Sequence, residues 1–399
     1  MSKTPENFDC LLVGGGPVGF IFAATLLKEA PHLRIALVER LPLETLVKKE
    51  QPDHRTTTLS AHTCDVLSSL DVWHELFPES VPIKKIFVTD QNGEASKLVF
   101  DHTNSGKIFG YTINNTLLRS TLTKNLQKLK NLTIFDSSQI KNIEKSAAFI
   151  TVTTQNKCLQ SPLVVGADGR SSQVRSLLNF SIKKKAYNQS ALVGLLQHTN
   201  PHKNTASEVF YPNGPVAFLP YGPHDKERIS AFVLCDKPKS IEALKHANKK
   251  LVLDFLKTRA PSYLGDILKI YNQQSFILEI GKVILSYQER SVLIGDAAQY
   301  IHPVAGQGLN LGVRDAVTLA KHLGEMQKLG VDLGSTTTLE VYQKQRRLDV
   351  WPMISLTHGL INLFGIDNYV ASFGRRSGFS LINKSSFLKD FFVRKAMGY

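Results

Sequence analysis

Short, almost uninterrupted apolar runs recur along the chain, and each leads into a turn and then a helical pattern. Residues 8–13 are apolar at nearly every position, and residues 34–38 and 291–294 form two similar runs. Strands that are buried on both faces lack polar alternation, so these runs predict a parallel sheet flanked by helices. The pattern therefore favours an α/β fold of the Rossmann-like kind.

The pattern changes between residues 182 and 283, where apolar and polar positions alternate between frequent turn signals. Alternation with a period of two predicts an inserted, mainly antiparallel β-sheet domain, with a helix over 241–258. A hairpin is predicted around Gln91, Asn92 and Gly93, between strands near 83–90 and 97–100. Residues 53–60 follow a polar loop and are expected to open a helix that runs to about Leu70.

Three regions are expected from these patterns. The dinucleotide-binding domain comprises 1–72, 105–178 and 283–345; the substrate domain comprises 73–104 and 179–282; the C-terminal helical region is 346–399.

Composition narrows the class of protein. Of the 399 residues, 42% are hydrophobic and 21% are charged, as in ordinary globular proteins. The formal net charge of +14 favours an anionic partner, which can be nucleic acid, a membrane surface or a cofactor. Nucleic acid is the least favoured of these, because zinc-finger spacing and RNA-binding aromatic signatures are missing from the sequence.

The four cysteines are far apart and form no Cys-x-x-Cys pair, which predicts neither a disulfide framework nor a metal site. The chain starts without a signal-like apolar stretch, and no apolar run is long enough to span a bilayer. We therefore expect a cytoplasmic protein, and the sequence leaves open whether it is peripheral on the inner membrane.

The first apolar run leads into Gly14-Gly15-Gly16-Pro17-Val18-Gly19, which has the G-x-G-x-x-G spacing. A helix follows, and a second strand ends at Glu39, about twenty residues on. In this context Gly14 allows a tight turn, Gly16 admits a pyrophosphate and Gly19 lets the helix pack on the strand. Glu39 is predicted to bind the ribose hydroxyls of an adenosine.

Two further turns carry an acid after a strand. Asp168 lies in the run 161–172, and Asp296 opens the run 295–312, where a helix is expected to begin near Gly308. Two such turns can bracket one dinucleotide, and a helix N-terminus stabilises negative charge in front of it. Gly306 and Gly308 let the backbone approach a flat ligand, because they have no Cβ.

The C-terminal tail combines basic residues, among them Arg375, Arg376 and Lys395, with many aromatics. Phe387, Leu388, Phe391 and Phe392 fall on one face of a predicted helix. This face either packs on the body of the protein or makes weak contact with a membrane surface. Lys183, Lys184 and Lys185 are expected to form a solvated loop, with a phosphate or membrane contact as the alternative.

Together the three glycine-bearing blocks resemble the single-component flavoprotein monooxygenases of the p-hydroxybenzoate hydroxylase type. The block from His302 to Asp315, Asp53-x-Arg55, Tyr342-x-x-x-Arg346 and the final Ala396-Met397-Gly398 are similar to the ubiquinone-biosynthesis hydroxylases. The resemblance spans essentially the whole chain. It implies a Rossmann-like FAD-binding domain, an inserted substrate domain and C-terminal helices.

The resemblance also implies roles for particular residues. Arg55 would lie near the flavin, although a surface arginine at a helix start explains it equally well, and Arg119 stands where the family usually has a glutamine facing FAD. Pro303 would turn its carbonyl toward the substrate, and Gln299 and Tyr300 receive no role. The implied cofactor-binding residues are Gly14, Gly16, Pro17, Gly19, Glu39, Arg40, Arg55, Arg119, Asp168, Asp296, Gly306, Gly308, Leu309 and Asn310. The implied catalytic residues are Pro303, Gly306 and Gln307.

The implied reaction is hydroxylation of a polyprenylated phenol in ubiquinone biosynthesis. NAD(P)H would reduce FAD as a transient co-substrate, O₂ would add at the flavin C4a, and the ring would attack the resulting hydroperoxide. Other ubiquinone-biosynthesis proteins are further candidate partners. Two other classes stay open: a halogenase or prenyl reductase on the same scaffold, and a non-catalytic FAD-bound member of a quinone-synthesis complex.

Overall fold

The computed structural model describes residues 4–47, 55–91, 97–222, 227–303, 306–365 and 382–399. Asp53, the predicted turn at Asn92 and Gly93, and Arg375 and Arg376 lie outside these residues. The described strands, in chain order, are β1 (Glu6–Asn7), β2 (Cys10–Val13), β3 (Ile35–Val38), β4 (Thr56–Ser60), β5 (Val81–Ile83), β6 (Lys85–Asp90), β7 (Lys97–Asp101), β8 (Gly110–Asn114), β9 (Leu132–Phe135), β10 (Ile140–Lys145), β11 (Ile150–Thr154), β12 (Cys158–Ser161), β13 (Val164–Gly166), β14 (Ile182–His198), β15 (Thr205–Tyr211), β16 (Gly214–Tyr221), β17 (Ile229–Asp236), β18 (Ile267–Val283), β19 (Tyr287–Gln288), β20 (Ser291–Leu293) and β21 (Gln299–Tyr300).

The described helices, in chain order, are α1 (Pro17–Glu29), α2 (Leu43–Val47), α3 (Ala61–Ser69), α4 (Trp73–Leu76), α5 (His102–Ser105), α6 (Asn115–Leu126), α7 (Gln173–Leu177), α8 (Pro238–His246), α9 (Lys249–Lys257), α10 (Gln307–Lys328), α11 (Thr336–Gly365) and α12 (Ser386–Met397). In the described part of the chain, no helix is both long enough and apolar enough to cross a lipid bilayer.

One sheet has the order β19-β20-β13-β2-β3-β9, and the four strands from β20 to β3 run parallel. Every residue of β2, β3, β13 and β20 is buried, as expected for strands covered on both faces. Helices α1 and α10 pack together on one face. The predicted α/β core is therefore confirmed.

A second sheet has the order β21-β18-β14-β17-β16-β15-β6-β7, in which every pair except β15 and β6 is antiparallel. Side chains alternate across it. Val216 and Phe218 pack against helices α8 and α9. Ala217 and Leu219, which alternate with them along β16, line a cavity on the other face of the sheet. The predicted antiparallel domain is confirmed.

Three local predictions were wrong. Thr56–Ser60 is a strand, and the helix begins only at Ala61. The three lysines from Lys183 lie within the 17-residue strand β14 instead of a loop, because they pair with β18. The helix expected over 241–258 is broken into α8 and α9, and Asn248 caps the second of them. The division into three regions stays a prediction.

Candidate functional site

Four parallel strands end at one edge of the first sheet, and each end carries a residue that the sequence singled out. From β3 to β20 these residues are Glu39, Gly14, Asp168 and Asp296. Neighbouring strands are about 4.8 Å apart, so the row spans roughly 14 Å. Ligands of open α/β sheets bind at this edge, and the row forms one side of the candidate site.

The glycine turn after β2 is partly crowded and partly open. A Cβ at Gly14, whose φ is +101°, would lie 2.5 Å from the Ala167 carbonyl oxygen, and one at Gly19 would lie 2.0 Å from the Gly14 oxygen. A Cβ at Gly16 would meet no atom within 4 Å. Gly14 and Gly19 therefore allow close packing of the backbone, which a side chain would prevent. Gly16 faces open space ahead of α1, which begins with Pro17.

Glu39 is held against this turn by two main-chain donors. The Gly15 N–H donates to one carboxylate oxygen and the Leu41 N–H to the other, each at 2.8 Å. The carboxylate therefore has a fixed position at the end of β3, with lone pairs left for a further donor. Ribose hydroxyls are donors of this kind, so the geometry suits the predicted role.

Asp168 caps helix α7 with one oxygen and leaves the other without a partner. Its Oδ2 accepts from the N–H groups of Gln173 at 2.6 Å and Val174 at 3.2 Å. Its Oδ1 is buried and meets no hydrogen-bond donor among the described residues. Burial raises the pKa of Asp168, and the hydrogen bonds oppose that shift.

The first turn of α10 faces the site with free main-chain donors. Its N-cap is Gly306, with a φ of +60° and no side-chain cap, so the N–H groups of Gly308 and Leu309 have no acceptor within the helix. A Cβ at Gly308 would meet no atom within 4 Å, which leaves the backbone open to a flat ligand.

Asn310 has a structural role through its side chain. Its Oδ1 accepts from the Ser60 N–H at 2.9 Å and the Thr63 hydroxyl at 2.8 Å, and its Nδ2 donates to the Thr58 and Gly306 carbonyls. The amide is therefore fully used in tying α10 to strand β4 and helix α3.

Asp296 projects into the cavity from the 3₁₀ turn Gly295–Ala297. Its side chain is accessible from the cavity, yet the surrounding protein raises its pKa by desolvation; Arg170 lowers that pKa and Asp315 raises it. The turn itself is fixed from behind, because the Gly295 N–H donates to the buried Asp315 at 3.0 Å. Asp315 in turn accepts from Arg346 Nε at 2.6 Å.

The cavity has a volume of about 530 Å³ and lies between the two sheets. Its polar end contains Asp296, Pro303 and the first turn of α10. Its other end is formed by apolar side chains, most of them from the second sheet and helix α12. These apolar residues are Ile83, Ile86, Val88, Leu98, Phe100, Phe109, Phe210, Leu219, Val233, Leu278, Ile382, Phe392 and Val393.

Helix α12 divides its phenylalanines between the cavity and the surface. Phe392 lines the cavity, whereas Phe387 is 78% and Phe391 47% exposed. The helix end is held by Gln307, whose Nε2 donates to the Ala396 carbonyl at 3.2 Å, and by Tyr399, which packs edge-on against the His62 ring. One side of the helix therefore packs inward, as the first alternative predicts, and the other side is exposed; contact of that side with a membrane stays a prediction.

A polar cluster that the sequence did not point to lies at the wall of the cavity. Glu279 Oε1 accepts from Arg170 Nη2 at 2.9 Å and from the Tyr300 hydroxyl at 3.1 Å, and the Arg170 guanidinium lies 4.7 Å from the centre of the Tyr300 ring. Gly281 makes room for that ring, since a Cβ there would lie 2.2 Å from it. No sequence motif marks this cluster, because its members come from three distant segments.

Pro303 lines the cavity, and its carbonyl accepts the Gly306 N–H at 2.9 Å. The neighbouring His302 is buried, packs edge-on against Tyr187 and contacts Gln189 through Nε2 at 3.1 Å. Burial lowers the pKa of His302 to about 4, so the ring is neutral at pH 7. His302 is therefore a packing residue beside the site.

Nine of the fourteen predicted cofactor residues are outside the cavity lining, and three of these nine are arginines. Arg40 is exposed after β3, and Arg55 is exposed with its guanidinium 5.2 Å from the centre of the Phe276 ring. Arg119 is half-buried on α6, and its Nε meets no acceptor among the described residues. The structure does not bring Arg55 into the cavity, whereas Thr56, which follows it, is part of the lining.

These features fit an extended dinucleotide. The row at the sheet edge offers Glu39 for a ribose, open space at Gly16 for a pyrophosphate and Asp296 for a polyol chain. The unpartnered Arg119 Nε and Asp168 Oδ1 are further polar groups that need a ligand or water. The first turn of α10 and the adjoining cavity leave room for a flat ring system.

Comparison with known proteins points the same way. The family model of the FAD binding domain matches residues 7–357. The ubiquinone hydroxylase UbiL of Rhodospirillum rubrum is 31% identical over 391 residues, which cover 98% of this chain and 89% of the relative. The 3-demethoxyubiquinol 3-hydroxylase of Escherichia coli is 26% identical over 407 residues, which cover 99% of this chain and 100% of the relative.

Among solved structures, p-nitrophenol 4-monooxygenase PnpA from Pseudomonas putida matches with a TM-score of 0.77 at 20% identity. The match covers 98% of this chain and 99% of that chain. At this identity the likeness shows the fold alone. It confirms the predicted fold class, an α/β dinucleotide fold with an inserted antiparallel sheet and C-terminal helices.

Proposed function

Since this chain belongs to the FAD-binding-domain family of FAD-dependent monooxygenases, we propose that it hydroxylates the ring of a polyprenylated phenol, a precursor of ubiquinone. The monooxygenase class and FAD as the cofactor, both predicted from the sequence, are confirmed by the family. When bound, FAD supplies the oxygen-transfer chemistry with electrons from NAD(P)H. The substrate is the part that we propose.

The observation that carries this proposal is the apolar end of the cavity. The polar end adjoins Asp296 and the first turn of α10, and the rest is walled mainly by aliphatic and aromatic side chains from β6, β7, β15–β18 and α12, with Ser207 and Glu208 of β15 among them. A phenol ring at the polar end would leave its hydrocarbon tail among these side chains. Burial of that tail stabilises the complex by about 0.8 kcal/mol for each CH₂ group.

The residues at the polar end have separate tasks in this proposal. Asp296 and Glu39 would hold the cofactor's hydroxyl groups. The free N–H groups of Gly308 and Leu309 would donate to the flavin ring edge, where the helix dipole favours negative charge. The Pro303 carbonyl has a second lone pair for the substrate phenol, and the Gln307 side chain fixes α12, which keeps water from the cavity.

The exposed face of α12 supports a further part of the proposal, weak contact with an anionic membrane. Phe387 and Phe391 are exposed beside the exposed cation Arg394. Aromatic rings partition into the acyl boundary, and cations attract anionic headgroups. This helix also lines the cavity, so the contact would bring the apolar end of the site close to the lipid that carries the substrate.

The substrate is tested by NADPH oxidation and product formation with prenylphenols of different tail length. We expect longer tails to lower KM, and profiling of quinone precursors in a deletion strain to show the step that is lost. Val393→Trp fills the apolar end and should raise KM most for the longest tail. Val331→Trp, at a position 39% exposed outside the cavity, is the matched control.

Two results would refute this substrate class. One is equal KM values for tailed and untailed phenols in the wild-type enzyme. The other is a KM that Val393→Trp changes no more than Val331→Trp does.

A further inference from the structure

The outer face of α11 and the segment after β18 carry apolar side chains that protrude into solvent. Leu348 is 82%, Ile284 57%, Trp351 51% and Leu285 49% exposed. Together with the cations beside them they form what we call the Trp351 surface. Its residues are Lys183, Lys282, Ile284, Leu285, Arg347, Leu348 and Trp351.

The members of the Trp351 surface are neighbours in space. The Lys282 Nζ lies 4.2 Å from the centre of the Trp351 ring. Lys282 and Arg347 line the same small cavity of about 20 Å³ between β18 and α11. Leu348 precedes Trp351 by one helical turn, and Ile284 and Leu285 directly follow the strand that carries Lys282. The apolar and basic side chains therefore form one continuous surface.

The exposed positive charge of the Trp351 surface comes from Lys183 and Arg347, whereas the Lys282 Nζ is buried and lines the same small cavity as Asp315. Lys183 stands directly opposite Lys282 in the antiparallel pairing of β14 with β18, so the two side chains share a face. Among the ion pairs of the described residues, none involves Lys183, Lys282 or Arg347. Lys344, farther along α11, is paired with Glu340 at 2.8 Å and adds little.

We propose that the Trp351 surface docks on an anionic lipid bilayer. Its apolar side chains protrude into solvent, which suits insertion into a soft interface. Tryptophan favours the level of the lipid headgroups, and the exposed cations Lys183 and Arg347 attract anionic lipid. A second copy of the chain is a less suitable partner, because a two-fold contact would place the positively charged residues of one copy opposite those of the other.

The Trp351 surface lies beside the elements that form the cavity. Lys282 pairs with Gln299 in β21, and the next residue, Tyr300, lines the cavity. On α11, Trp351 is exposed, whereas Met353 two residues later lines the cavity. Docking would therefore place one wall of the cavity next to the bilayer. The inference does not depend on the proposed substrate, since it follows from exposure and charge alone.

Flotation with vesicles of phosphatidylcholine and phosphatidylglycerol tests the inference on the full chain. We expect binding at low salt that weakens at high salt, and that falls with Arg347→Gln, Leu348→Ser and Trp351→Ser combined. Loss of one cation near an anionic surface corresponds to about fivefold weaker binding, and loss of the two apolar side chains adds to that. The matched control is Lys250→Gln with Leu251→Ser, an exposed pair on α9 whose Leu251 is 53% exposed.

Trp351 also gives a direct optical readout. The chain has two tryptophans, and Trp73 packs against Phe77 and Tyr111, so Trp73→Phe leaves Trp351 as the single emitter. We expect a blue shift with vesicles and quenching by brominated lipids, including when Phe387→Ser and Phe391→Ser disable the exposed face of α12.

Two results would overturn the inference: Trp351 emission that vesicles leave unchanged, or a triple variant that floats like the wild type. Neither measurement requires turnover, so failure here leaves the proposed hydroxylation intact.

Discussion

Gly308→Ala separates the contribution of helix α10 to the fold from its contribution to FAD binding. A Cβ at Gly308 would meet no atom within 4 Å, so the protein without FAD should accommodate it. Alanine is favoured over glycine inside a helix by about 0.5–1 kcal/mol. For a chain of 399 residues this raises Tm by about 1 °C at most.

The effect on FAD binding should have the opposite sign. The methyl group would stand in front of the free N–H groups of Gly308 and Leu309, where we propose that the flavin ring edge binds. Loss of two main-chain hydrogen bonds corresponds to about 1–3 kcal/mol in total. The Kd for FAD should therefore rise by a factor of roughly 5 to 150.

Two measurements on the same samples check this prediction: titration of the apoprotein with FAD by flavin fluorescence, and thermal melting by circular dichroism. Gly312→Ala is the control in the same helix, because its Cβ would lie 2.7 Å from a Val18 methyl group and should lower Tm. A Gly308→Ala protein that binds FAD with the wild-type Kd would show that this helix end does not contact the cofactor.

Three further outcomes follow from buried or polar contacts. Glu39→Gln replaces one of two acceptors for main-chain N–H groups by a donor, and should weaken FAD binding about 5- to 150-fold in the same titration, whereas Arg40→Gln should not. Asp315→Asn removes the 2.6 Å charged partner of Arg346 and leaves Asp349 as its remaining carboxylate, so a melting curve should show Tm lower by about 2–4 °C, for a loss of about 1.5–3 kcal/mol. The pKa of His302 is lowered to about 4 in the folded protein, so as pH falls this histidine is protonated in the unfolded chain first. Denaturant titrations should therefore show that the free energy of unfolding decreases between about pH 6.5 and 4. The decrease should be smaller in His302→Gln.

The row of turns at the sheet edge was predictable from the sequence because its signals are local. Each strand ends within a few residues of the group that it presents, as in Gly14 after β2 and Asp296 after β20. Parallel strands bring their carboxyl ends to one edge whatever the rest of the chain does. That is why residues as distant as Glu39 and Asp296 could be placed in one row without knowledge of tertiary contacts.

The apolar part of the cavity could not be predicted from the sequence in the same way, because it depends on packing between distant segments. Phe392 and Phe391 are adjacent in sequence, and the helical pattern alone does not tell which one faces the cavity. The cluster of Arg170, Glu279 and Tyr300 forms only when β21 pairs with β18. The error at Lys183 has the same origin, since pairing with Lys282 turns a polar run into a strand.

The buried charges behind the Asp296 turn explain how the polar and apolar parts of the cavity keep a fixed position relative to each other. Asp315 joins the Gly295 N–H to Arg346, and Arg346 and Arg314 share Asp349 at 2.7 Å each. Such a network adds little net stability, because desolvation of the charges offsets their attraction. Its effect is positional: it ties α10, whose first turn faces the cavity, to α11, which contributes Met353 to the cavity wall. A hydrophobic replacement could match its stability but would leave the Gly295 N–H without an acceptor, and the carboxylate of Asp296 would lose its fixed direction.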